Sequence, residues 1–166
     1  MEASDFVGVL GWKALLVRDA QYLSPMFPRV AWTPGVMAAV CQGKRFGFDG
    51  EESRCLACPG EHANYGCGFH AAWHVSGVAS ITGDWTSVTL VVLLEGLGRV
   101  VVHELGWRSE LARVVAPVAR ITQIGMGPDQ ERAAAPALAA DYFGVPVMAQ
   151  AEAERLVGDS RKRWDS

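Results

Sequence analysis

Residues 87–104 read SVTLVVLLEGLGRVVVHE. Two aliphatic, β-branched runs, Val88–Leu94 and Val100–Val102, flank Gly96-Leu97-Gly98, and this pattern predicts a β-hairpin turning at the glycines. Val88–Leu94 is largely apolar on both faces, so both need cover, as in a central strand. A helix drawn from 69–76 or 130–143 is expected over one face. The N-terminal strand around Trp12, or another subunit, is expected over the other.

Toward the N-terminus, Gly11–Asp19 (GWKALLVRD) alternates. Trp12, Ala14 and Leu16 fall on one side of an extended segment and Lys13, Leu15 and Val17 on the other, which predicts a strand. Pro25, Pro28 and Pro34 then predict irregular or edge structure, ended by a turn at Trp32-Thr33-Pro34-Gly35. In the other direction, Leu111–Ile121 offers apolar segments that Pro117 is expected to interrupt. Asp129 opens a helix, Pro136 is expected to kink or restart it, and Gly144 and Pro146 end it. Residues 150–157 predict a last short helix. The class is α+β: an antiparallel sheet, a few short helices and a metal-binding loop, in one domain spanning 1–166 with the metal-binding insertion at 41–74.

The chain has 166 residues, half of them apolar and a fifth charged, which is enough to bury a core. Its net charge of −3 argues against a broad phosphate-binding surface, so no nucleic-acid partner is expected. Arg161-Lys162-Arg163, the basic cluster, reads as a solvated tail. The N-terminus carries two acids before its first base and lacks a continuous apolar run. Val88–Leu94 is too short to span a bilayer, so no membrane partner is expected and cytoplasmic residence is.

All 4 cysteines lie between Cys41 and Cys67, and three of the 4 histidines between His62 and His74. In a reducing compartment such crowding points to a metal before a disulfide. Cys55-Leu56-Ala57-Cys58 followed by Pro59-Gly60 resembles a zinc knuckle, whose turn sets two sulfurs at a separation suited to a tetrahedral ion. Cys41 and Cys67 are the further ligands, with His62 as the substitute for any of the four, and Zn2+ is the expected cofactor. The competing readings are small buried cysteines and a redox C-x-x-C pair. Phe69–Gly77 has helical spacing, placing His70 and His74 four apart. The glutamate that metalloprotease chemistry needs after the first histidine is replaced by Ala71, so that reading fails at its base. No nucleotide-binding or nucleophile-elbow motif is present.

Several motifs, taken in order, carry a resemblance: Trp32-x-Pro34-Gly35, Cys41, Cys67-Gly68-Phe69-His70-Ala71, Gly98 to Glu104, Gly106-Trp107-Arg108-Ser109-Glu110, and Tyr142-Phe143-Gly144-Val145-Pro146-Val147. The order is similar to that of an uncharacterised group of small bacterial, largely actinobacterial, proteins. It covers about residues 30 to 147. The group's pattern has a C-x-C pair where this chain has Tyr65 and Cys67, and a tyrosine where it has His70. The resemblance implies no activity.

These features predict a zinc-stabilised, non-enzymatic domain that binds a protein or small-molecule partner, with homodimerisation possible. The alternative is a small metal-dependent hydrolase or lyase with an open zinc position and His62, His70 or His74 at the site.

Overall fold

In the computed structural model, which describes residues 1–25, 30–39, 68–79, 88–119 and 129–165, the two longest strands come from the aliphatic stretch and the residues directly after it. Strand β5 (Val88–His103) runs through the glycines and turns only at Glu104-Leu105 into β6 (Gly106–Ala119). The expected hairpin is there with its turn displaced. β5 and β6 pair from His103↔Gly106 to Val92↔Pro117, with a register shift between Leu97 and Val100. Gly98 lies in that shift at φ +70°. The glycine therefore serves a bulge that bends the strand, not a turn. Pro117 does not interrupt β6. It lies near the strand's end and beside a second shift opposite Leu93/Leu94, where a missing donor is tolerated.

β1 (Val9–Arg18) pairs antiparallel with β5 along its length, Val9↔Gly96 to Val17↔Val88. Its other edge meets β2 (Gln21–Leu23) at Leu16↔Leu23 and β4 (Phe69–Ala72) at Trp12↔Ala72. β4 in turn pairs with β6, Phe69↔Ser109 to Ala72↔Gly106. The pairings β1–β5–β6–β4–β1 close on themselves, so these strands form a small barrel. Closure shortens the open edges that would otherwise invite aggregation, leaving one seam between β1 and β4, which pair at a single position. β3 (Met37–Ala38) adds to β6 at Leu111 and Ala112, and β7 (Met148–Ala149) pairs parallel with β6 at Val118 and Ala119.

Trp107 fills the lumen. A Cβ at Gly96 would stand 2.5 Å from its ring, and a Cβ at Gly11 would collide with its Nε1. The indole N–H donates to the Leu10 carbonyl at 3.0 Å, which satisfies the one polar atom the ring brings inside. Gly11 and Gly96 thus leave room for a tryptophan that is 1 % exposed.

Helices cover the outside. α3 (Gln150–Trp164) buries Ala153, Leu156, Val157 and Ser160 and packs on β1, with Leu10 N–H donating to Ser160 Oγ at 2.9 Å. It is longer than the segment 150–157 read from the sequence. The basic cluster is its last turn, where cations suit the helix dipole. Arg163 donates to the Phe6 and Gly8 carbonyls and Arg161 stacks over Trp73 at 5.6 Å, so this is a docked helix end and not a free tail. α2 (Asp129–Phe143) packs on β5 and β6 and continues through Pro136. Buried Ala135, Ala139 and Phe143 lie on both sides of the proline, so tertiary contact holds the two halves as one helix. Gly144, at φ +68°, ends it as expected.

Residues 69–76 are the clear correction. Instead of one helix they form β4 and the start of α1 (Val75–Ala79). Phe69–Ala72 is flanked by β6 on one edge and reaches β1 on the other, and those ladders override a helical spacing of four residues. His70 and His74 therefore do not share a helix face.

Candidate functional site

β1 and β4 pair at one position only, Trp12↔Ala72. Continuing that register would oppose Ala14 and His70, but the strands separate there. The gap opens a cleft of about 710 Å³, bordered by β1, β4, α1 and the β5–β6 turn. That volume lies within the range of small-molecule sites. The far rim is tied down: Trp73 N–H donates to the Leu105 carbonyl at 3.1 Å, and Trp73 Nε1 to the His103 carbonyl at 2.8 Å.

Lys13 is the chemically unusual member of the cleft. It shares the side of β1 on which Gly11 meets Trp107, and the residues on either side of it in β1 are buried. Its Nζ donates to the His70 carbonyl at 3.1 Å, the acceptor left over where β1 and β4 part. An ammonium has three protons to place. Among the described residues no carboxylate pairs with it. Burial alone lowers its pKa to about 8. At the rim, burial and then the Arg108 charge hold the His103 pKa below its ordinary value, so His103 is neutral at physiological pH. His74, also in the wall, has its Nε2 3.4 Å from Arg161 Nη1.

A second buried charge has a structural task. Glu95 is fully buried, and its carboxylate accepts from Gly8 N–H at 2.8 Å and Arg113 Nε at 2.7 Å. Both oxygens are satisfied, which is the condition for holding a buried carboxylate.

The expected metal ligands Cys41, Cys55, Cys58, Cys67 and His62 lie outside the described residues. His70, His74 and His103 all border the cleft. Among the described residues, however, no group of three or more His, Cys, Asp or Glu is arranged to hold a metal ion. What is described is where the cysteine-bearing segment leaves and rejoins the barrel. β3 runs antiparallel to β6 with Ala38 opposite Leu111, and Ala39 N–H donates to the Glu110 carbonyl at 2.8 Å. β4 resumes on the same edge and in the same direction with Phe69 opposite Ser109. Ala39 and Phe69 thus occupy successive positions along β6, and residues 40–68 are an insertion into what is otherwise one strand line.

No helix among the described residues is long and apolar enough to cross a membrane. No family model, curated protein or solved structure matches the chain.

Sequence reading did not single out Lys13. The available signal was a lysine in the middle of an otherwise apolar strand; what it faces depends on a seam between strands 57 residues apart in the chain.

Proposed function

We propose that this chain is a non-enzymatic binding domain, a small barrel whose cysteine-bearing insertion is stapled by zinc. Cys41, Cys55, Cys58 and Cys67 are the proposed ligands, with His62 as the substitute. The observation that carries this reading is the in-line placement of Ala39 and Phe69 on β6. Cys41 comes two residues after Ala39 and Cys67 two residues before Phe69, a reach of roughly 7 Å of extended chain on each side. A reach that short would allow both end cysteines to serve a common ion. A long excursion closed at its base needs something to offset its closure entropy, and a tetrahedral site of four protein ligands does so. A closed ligand shell leaves no position for activated water, which is why the binding role is preferred to a hydrolase or lyase.

The test is elemental analysis of the purified chain with X-ray absorption at the zinc edge. One zinc per chain with four sulfur, or three sulfur and one nitrogen, ligands is expected. Cys41→Ser and Cys67→Ser should each lose the metal, because a hydroxyl is a far poorer ligand than a thiolate. A metal-free wild type, or a coordinated water in the shell, would sink the proposal.

A further inference from the structure

The cleft between β1 and β4 presents one cation, and among the described residues no carboxylate pairs with it. Lys13 is the only lysine or arginine in its described wall, and among the described residues its ammonium has one acceptor, the His70 carbonyl at 3.1 Å. The titratable groups in the described wall beside it are His70 and His74 from β4 and its continuation, and His103 and Glu104 from the β5–β6 turn; α1 contributes Ser76, Gly77 and Val78. His103, neutral at physiological pH, offers an N–H without a charge. Glu104, exposed at the rim, disfavours a ligand carrying a second negative charge. The remaining wall is apolar, and Leu105 stands 81 % exposed at its edge. An unpaired ammonium beside apolar surface is unfavourable until an anion of like shape joins it.

We infer that this cleft binds a small organic monocarboxylate, whose charge pairs with Lys13 and whose apolar body lies against the apolar part of the cleft wall. This rests on the reading of the chain as a binding domain and is independent of its metal. With a pKa near 8, Lys13 is protonated about ten to one at pH 7, so the site is cationic under physiological conditions. A carboxylate bound there draws the lysine pKa upward. Affinity therefore falls as pH rises through the free lysine's pKa. A dianion such as phosphate gains little, because one ammonium cannot satisfy it and Glu104 repels its second charge.

The experiment titrates the full-length chain with benzoate, benzamide and inorganic phosphate by calorimetry, with zinc measured on the same samples. Benzoate is expected to bind saturably at pH 7 and roughly tenfold more weakly at pH 9. Benzamide and phosphate are expected not to saturate, and Lys13→Met is expected to abolish benzoate binding. Benzamide or phosphate binding as tightly as benzoate overturns the inference, as does benzoate binding that survives Lys13→Met. If that variant does not fold, the wild type decides. With lysines ¹³C-dimethylated, benzoate should move the Lys13 titration midpoint upward, and an unmoved midpoint overturns the inference. Benzoate failing to bind a zinc-loaded chain rejects the ligand alone, whereas benzoate binding to a zinc-free chain rejects the metal alone.

Discussion

Lys13 sets a sign for the pH dependence of stability. Its pKa is about 8 in the fold against 10.5 in the unfolded chain. Between those values the unfolded state binds more protons, so stability rises with pH through that window. Burial of the ammonium thus destabilises the fold below pH 8, by up to about 3 kcal/mol at full shift. Lys13→Met should raise stability at pH 7 by about 1–3 kcal/mol and flatten the rise between pH 8 and 9.5. Urea unfolding at pH 7 and 9.5 checks this; a wild type with equal stability at both values would contradict it. The window stops short of Tyr22, whose pKa is raised by burial and by Tyr142 and whose ionisation acts in the opposite sense. His103 acts at the acid end. Its lowered pKa means the unfolded chain protonates first, so stability falls as pH drops through 6.5. The alternation of Trp12, Lys13 and Ala14 was legible in the sequence. What Lys13 faces was not, because the acceptor comes from a distant strand.

At the scale of elements, glycine misled where it marked a bulge and was missing where turns occur. β1 and β2 join at Asp19-Ala20, with Arg18 opposite Gln21 and positive φ at both central residues, 49° and 59°. A two-residue hairpin loop of this kind ordinarily carries Asn-Gly or Asp-Gly, and an alanine there holds a strained left-handed conformation. The sequence signal for this hairpin was therefore absent. Ala20→Gly should stabilise the protein by about 0.5–1 kcal/mol, the strain relieved less the entropy glycine adds to the unfolded chain. Chemical denaturation measures it, and a loss of stability would show that the turn does not hold Ala20 at positive φ. Gly98 is the converse case. Its neighbours spelled a turn, but a positive-φ residue serves a bulge equally well, and only the ladder from β5 to β6 distinguishes them. Phe69–Ala72 shows the same limit, since four residues fit either period and pairing with β6 decides.

For the whole molecule, the insertion separates what the barrel needs from what the cysteines need. The crowding of Cys41, Cys55, Cys58 and Cys67 was visible in the sequence as a unit and was expected to extend over 41–74. Strand register assigns residues 69–72 to the barrel wall and places the return of the chain at Phe69. Because Ala39 and Phe69 occupy successive places on β6, joining them directly should continue one strand without a change of register. In the full chain, closing a loop of this length costs on the order of 3 kcal/mol of chain entropy; under the proposed staple, zinc would offset that cost and chelation would expose it. Deleting 40–68 removes the loop and its cost together. The expected order of stability is therefore zinc-loaded full chain and spliced chain above chelated full chain, with the spliced chain free of zinc. Thermal melts with and without chelator, on both chains, make the comparison. If the spliced chain fails to fold while the chelated full chain stays folded, residues 40–68 support the barrel by direct packing, and the staple would be secondary to that contact.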